Sequence, residues 1–261
     1  MEHRYLLDNA APQAPARFRA LANLYDPGTV QHLESCGVAG GWRCLEVGAG
    51  GGSIARWLAD RVAPAGRVVA IDLDTRHLEA LDDSRIEIWR HDVSTPLPNE
   101  GPFDLVHARL VLNALPDRRR VMSRLVDALA PGGWLLIEEF DSDAAPPDPN
   151  AHPNERYLDT HRALARYMTD SGFDRRYGRR LFDELLSLGL TDVTAEARMF
   201  MCDAQSAGVE LLRANFEQLR ETLIARGYLT ADQFDTDLET MRSAHFRMPS
   251  SMLWAARGRR Q

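Results

Sequence analysis

The stretch from Cys44 to Ser53 reads as a short buried strand that runs directly into a glycine-rich turn and out into a helix. In Glu46-Val47-Gly48-Ala49-Gly50-Gly51-Gly52 the glycines let the backbone turn sharply and approach a ligand without interference from Cβ atoms. A strand, a glycine turn and a helix in that order belong to a parallel α/β sheet, whose ligands bind beyond the carboxyl ends of the strands. The following hundred residues repeat the alternation. Strands are expected at 43–47, 67–72, 86–91, 103–108 and 133–139. Helices are expected at 53–62, 75–82 and 117–130, the last closed by Pro131-Gly132-Gly133.

Two short helices are expected ahead of this core, at 15–24 and 30–36, as a cap lying across the ligand crevice. Behind it, helices at 155–169 and 179–188 precede a strand at 191–202. Helices at 207–226 and 231–244 precede a last strand at 250–256. The expected organisation is therefore a helical cap over 1–40 and a Rossmann-like core over 41–142. Residues 143–204 complete the core with a sixth strand, 205–248 form an inserted helical lid, and 249–261 hold the last strand and tail.

Composition narrows the chemistry. The chain has 261 residues, 44% of them hydrophobic, and a net charge of −7, which opposes sequence-independent nucleic-acid binding and favours a small-molecule partner. All 31 basic residues are arginine, so Schiff-base, phosphate-loop and general-base lysines are excluded. No apolar run suggests a signal sequence or a membrane span, and a cytoplasmic location is expected. Cys36, Cys44 and Cys202 have no metal-ligand spacing and are expected as free thiols, with Cys44 in a buried strand; no metal site is expected.

The glycine turn alone would serve a dinucleotide or S-adenosylmethionine, since Gly50, Gly52 and Ala55 also have the dinucleotide spacing. The acids decide between them. Glu46 would repel a pyrophosphate but suits a cofactor carrying an ammonium and a sulfonium. Asp72 ends the second strand, where a carboxylate can accept hydrogen bonds from ribose hydroxyls. Asp92 ends the third, within reach of an adenine amino group, with Leu73 and Val93 flanking the ring.

Together, Glu46-x-Gly48-x-Gly50-x-Gly52, Ile71-Asp72, His91-Asp92, Phe103-Asp104-Leu105-Val106 and Pro131-Gly132-Gly133-Trp134-Leu135-Leu136-Ile137 resemble the class I S-adenosylmethionine-dependent methyltransferases over roughly residues 40–140. The resemblance implies a seven-stranded, mostly parallel sheet with helices on both faces and an antiparallel last strand, which Ser250–Ala256 would supply. It also implies S-adenosylmethionine as methyl donor and S-adenosylhomocysteine as product. Glu46, Gly48 and Gly50 would line the methionine end, Asp72 the ribose, and Asp92 with Val93 and Leu73 the adenine, with Ala49 and Ser53 also among the cofactor-binding residues. Ala108 would lie near the methionine moiety, and Tyr5 and Arg17 would fold over the cofactor. Asp104 would be structural.

His107 is the candidate general base for a hydroxyl acceptor, because its ordinary pKa suits that work. The family's histidine slightly further along, in the segment of Asn113-Ala114, is missing here. Arg109, Asn113, Asp141, Tyr157, His161 and His245 are the candidate substrate residues. Glu138 and Glu139 must point to opposite faces of the sheet, so at most one can serve a substrate. Tyr167, Phe216 and Phe246 would either enclose a substrate or form the core of the insertion. The function expected is methyl transfer to an O, N or C atom of a small molecule such as a natural product or a phenolic or quinone-like compound. The alternatives are an S-adenosylmethionine-binding cyclase or sensor, or an NAD-dependent oxidoreductase.

Overall fold

The computed structural model describes residues 6–98, 101–144 and 158–261. Strands β1 (Arg43–Val47), β2 (Arg67–Asp72), β3 (Ile86–Arg90), β4 (Phe103–Arg109) and β5 (Leu129–Asp141) alternate with helices α2 (Ser53–Val62), α3 (Arg76–Glu79) and α4 (Arg118–Asp127). Helix α1 (Ala14–Ser35) precedes them. Helices α5 (Asp159–Asp170) and α6 (Leu181–Ser187), strands β6 (Thr191–Arg198) and β7 (Met201–Asp203), helices α7 (Ala207–Ala225) and α8 (Ala231–Arg242), and strands β8 (Arg247–Pro249) and β9 (Met252–Arg259) follow. Seven strands form one sheet in the order β3-β2-β1-β4-β5-β9-β6, mostly parallel with one antiparallel strand and with helices on both faces.

The chain divides into two compact units. The sheet unit comprises Asp26–Phe140, Tyr177–Ala197 and Leu253–Gln261; the helical unit comprises Met1–Tyr25, Asp141–Arg176 and Arg198–Met252. In the sheet unit the two-residue period of the strands builds two cores. Leu45, Val47, Val69, Ile71, Leu135 and Ile137 fill one face, with Met122 and Leu125 of α4 and Leu181 and Leu185 of α6. Cys44, Val68, Ala70, Leu105 and Leu136 fill the other, with Leu33 of α1 and Ile54 and Leu58 of α2. The helical unit has its own core around Tyr167, Val209, Phe216, Phe234, Met241 and Phe246. Within it β7 and β8 pair as an antiparallel ribbon that brackets α7 and α8.

The larger differences from the sequence expectation have visible causes. The two N-terminal helices are one, continuous through Pro27. An interior proline removes a helical hydrogen bond at a cost of about 3 kcal/mol, and here anchors flank it. Tyr25 Oη donates to Ser251 O at 3.0 Å, Asp26 accepts from Arg109 at 2.7 Å, and Thr29 Oγ1 donates to Glu138 at 2.6 Å. Helix α3 is only one turn, since Asp82 already takes a left-handed backbone with φ 48°. Helix α4 stops at Asp127 because Phe103 N–H donates to Ala128 O, and the Pro-Gly-Gly run becomes an irregularity inside β5. The strand expected over 191–202 is two strands in different sheets, with Phe200 held to Ser250 through both its N–H and its C=O.

The segment after β4 is pinned from the opposite side of the sheet. Glu139 is wholly buried, and its Oε1 accepts from the backbone N–H groups of Val111, Leu112 and Asn113 at 2.9, 2.6 and 3.3 Å. Its Oε2 is sealed from solvent with no partner among the described residues. Burial pushes the carboxyl up to about 8, against the opposing pull of those N–H groups and of Arg118.

Because the unfolded chain ionises Glu139 first, near its ordinary 4.5, stability tied to this group declines as pH rises from about 4.5 to 8. Glu139→Gln, which keeps the acceptor oxygen and cannot ionise, should therefore melt progressively higher relative to wild type across that window. A melting-temperature difference independent of pH would contradict the neutral carboxyl. Gly178 tests the packing of the same strand, since a Cβ there would lie 2.4 Å from Glu139 O. Gly178→Ala should cost about 1–3 kcal/mol in chemical denaturation, whereas Gly40→Ala, whose nearest neighbour would be 3.6 Å away, should be close to neutral.

Candidate active site at the carboxyl edge of the sheet

The glycine turn is shaped by what packs around it. Gly48, Gly50 and Gly52 have φ of 65°, 52° and 76°, the left-handed region that suits glycine. A Cβ on Gly48 would lie 2.3 Å from Val111 Cγ2, in the segment that Glu139 holds. Gly48 and Ala49 donate to Ile71 O at 2.8 and 3.1 Å, and Gly50 donates to Asp72 Oδ2 at 2.8 Å, so the turn is tied to the end of β2.

Asp72 accepts a second backbone bond on Oδ1, from Asp74 at 3.0 Å. Burial raises its pKa, opposed by the N–H groups of Asp74, Gly50 and Leu73. A carboxylate has about four lone-pair sites, so Asp72 retains acceptor capacity for hydroxyls. Beside it Leu73 is 51% exposed, an apolar surface open to a flat ring. Asp92 is exposed, with Oδ1 accepting from Ser94 N–H at 2.8 Å, and Val93 is buried next to it.

The strongest electrostatic feature lies at the ends of β1, β4 and β5. Glu46, His107 and Glu138 share the sheet face that carries Cys44, Leu105 and Leu136, and Glu46 stands opposite His107 in the parallel register. His107 is fully buried, with Nδ1 2.6 Å from Glu46 Oε2 and Nε2 3.2 Å from Glu138 Oε2. Burial alone would lower its pKa, but the charges and hydrogen bonds of the two carboxylates prevail and hold it at about 9. Against an ordinary 6.5, the charged ring stabilises the fold fully below about pH 6.5, and the contribution is lost as pH climbs through about 9.

The network continues onto α1. Glu138 Oε2 also accepts from Thr29 Oγ1 at 2.6 Å, while Arg109 donates to Thr29 Oγ1 at 2.8 Å and to Asp26 Oδ1 at 2.7 Å. Burial works to raise the Glu138 pKa, yet His107, Arg109 and Thr29 hold it below the usual carboxylate range. Leu110, directly after these residues, has φ 60°, a strained conformation for a leucine that its N–H bond to Glu138 O helps to fix.

The other expected site residues are more dispersed. Ala108 is buried in the sheet core, and Ser53 is exposed at the start of α2. Asn113 is buried with its N–H on Glu139. Asp104 accepts from Arg43 N–H at 2.8 Å at the far edge of the sheet, a structural role.

In the helical unit Arg17 is buried and donates to Leu7 O, Gln218 Oε1 and Asn9 Oδ1 at 3.1, 2.7 and 2.6 Å. Asp141 is buried and accepts from Asp143 N–H. His161 is half-buried, and burial with the nearby Arg175 and Arg162 pushes its pKa down to about 4. His245 is exposed, while Tyr167, Phe216 and Phe246 belong to the unit's core. Tyr5 and Tyr157 lie outside the described residues. Asp26 and Thr29 escaped the sequence reading because nothing local marks a helix residue as the partner of a strand end.

The residues fit S-adenosylmethionine. The Glu46 carboxylate is only 4% exposed, yet its Oε1 has no partner among the described residues, as suits a buried cation. Asp72 keeps acceptor capacity beside the exposed face of Leu73. No group of three His, Cys, Asp or Glu disposed to hold a metal occurs among the described residues, and no helix there is long and apolar enough to cross a membrane. Cys36, Cys44 and Cys202 are buried free thiols.

Comparison with known proteins agrees with this geometry. A family model described as a methyltransferase domain matches residues 4–178. The methyltransferase str2 of Strobilurus tenacellus is 36% identical over 140 residues, 53% of this chain and 50% of that protein. The trans-aconitate 2-methyltransferase of Variovorax paradoxus is 34% identical over 108 residues, 40% of each. The chain thus spans half or less of the length of these curated relatives. Among solved structures, the Haemonchus contortus phosphoethanolamine N-methyltransferase 2, in complex with phosphomonomethylethanolamine and S-adenosylhomocysteine, shares the fold. Its TM-score is 0.60 at 19% identity, covering 100% of this chain and 60% of that one. On the strength of the match over residues 4–178, the chain belongs to the methyltransferase-domain family, whose methyl donor is S-adenosylmethionine.

Proposed function

We propose that the protein transfers a methyl group from S-adenosylmethionine to an O, N or C atom of a small molecule, such as a natural product or a phenolic or quinone-like compound. The observation that carries the reading is the buried Glu46 carboxylate, with one oxygen on His107 and the other without a partner among the described residues, at the mouth of a left-handed glycine turn. A buried carboxylate in that position attracts an ammonium and repels a pyrophosphate, which disfavours a dinucleotide.

In this reading Glu46 holds the ammonium of the cofactor's methionine end, Asp72 accepts from its ribose, and Leu73, Val93 and Asp92 contact its adenine. When bound, the cofactor supplies an activated methyl on a sulfonium. The chain's own task is then to hold the acceptor in line with that methyl and keep water away. His107 has both nitrogens engaged by carboxylates and carries a proton, so in this arrangement it has no lone pair with which to deprotonate a hydroxyl. An amine acceptor in its free-base form needs no such base. The net charge of −7 and the small-molecule names of relatives such as the trans-aconitate methyltransferase support a small acceptor.

Calorimetric titration with S-adenosylhomocysteine and, separately, NAD tests the cofactor. Selective binding of S-adenosylhomocysteine is expected, weakened by about tenfold or more in Asp72→Ala, the equivalent of about 1.4 kcal/mol. Binding of NAD alone would overturn the proposal. Cofactor binding without formation of S-adenosylhomocysteine across amine, phenol, carboxylate and enol acceptors would favour a non-methylating role.

A further inference from the structure

The network that runs from Glu46 to helix α1 holds five ionisable side chains from four elements: Glu46 on β1, His107 and Arg109 on β4, Glu138 on β5 and Asp26 on α1. Counted as three carboxylates, one imidazolium and one guanidinium, they leave one negative charge uncompensated. Arg109 is committed to Asp26 and Thr29, and His107 is shared between Glu46 and Glu138. Glu46 stands at one end of this chain of contacts, bonded through Oε2 alone, so its Oε1 meets no protein donor among the described residues; Glu138 likewise bonds only through Oε2, but that oxygen takes both His107 and Thr29.

Resting on the cofactor reading above, we propose that His107 is a positioning residue for cofactor recognition. It grips Glu46 Oε2 so that Oε1 is presented to the ammonium of the methionine end, and it is itself fixed through Glu138 to Thr29 of α1. Three features favour this role. The imidazole has no surface through which to touch an acceptor. It stands directly across from Glu46 in the register of β1 and β4. Its second nitrogen is occupied by a carboxylate that Thr29 and Arg109 in turn restrain, which fixes the ring's orientation. A ring held in this way shapes affinity for the amino-acid end of the cofactor and has no direct part in the chemical step.

The test compares two ligands that share the adenosine thioether and differ in the amino-acid end: S-adenosylhomocysteine and 5′-methylthioadenosine, the latter without an ammonium. In the full chain, His107→Gln should weaken S-adenosylhomocysteine about tenfold or more while changing methylthioadenosine less than about twofold. Glu46→Gln should do the same, and the double variant should be no weaker than the worse single one. Equal loss for both ligands would mean that His107 merely supports the fold, and no loss for either would remove it from recognition altogether; each result overturns the proposal. Should the variants fail to fold, ring nitrogen spectra of ¹⁵N-histidine-labelled wild type decide. The His107 signals should move on adding S-adenosylhomocysteine and stay in place with methylthioadenosine, and identical responses would refute the role. Failure of wild type to bind either ligand would instead defeat the underlying cofactor reading.

Discussion

A buried imidazolium between two carboxylates organises the functional edge of this sheet. Removing charges from water is costly, and such a contact persists only where opposite charges and hydrogen bonds satisfy each partner. His107 meets that condition with Glu46 on one nitrogen and Glu138 on the other, joining β1, β4 and β5. Breaking a buried pair by removing one partner typically costs about 3–5 kcal/mol, because a charge is left stranded. The same contact therefore secures the fold and, in the proposed reading, fixes the carboxylate that meets the cofactor's ammonium. Thr29 and Arg109 extend it to α1 and help to hold a helix together around an interior proline.

The two faces of the sheet cooperate at this edge. Glu138 and Glu139 are neighbours in sequence, and the pleat sends them to opposite sides. Glu138 anchors the charged network, while Glu139, held neutral by burial, secures the backbone of Val111, Leu112 and Asn113. Val111 in turn packs where a side chain on Gly48 would have to go. The glycine turn is thus moulded from below by a side chain that the Glu139 carboxyl on the other face positions.

Much of this was legible in the sequence, because it depends on local patterns. The five core strands and α2 stand close to where alternation and the glycine turn put them, and the acids closing β1, β2 and β3 could be named from their places at strand ends. Long-range contacts were not legible. Glu46, His107 and Glu138 were each visible, but only the pairing register reveals that they touch. Asp26 and Thr29 carry no local sign of their partners. The two short helices expected at 15–24 and 30–36 are one helix, because local propensity is blind to the anchors on either side of Pro27. In the same way, Pro131-Gly132-Gly133 suggested the close of a helix, although Leu129 had already paired with Phe103 in the sheet.

The central claim is that His107 stands as a charged, fully engaged ring at the heart of the site, and its proton can be observed directly. Titrating the side-chain nitrogens of ¹⁵N-histidine-labelled protein between pH 5 and 10 should show one imidazole, assigned through His107→Gln, that keeps its proton across neutrality and releases it near pH 9. A His107 ring that is a neutral tautomer at pH 7, or that titrates near 6.5 as a free imidazole does, would contradict the buried network on which the site is built.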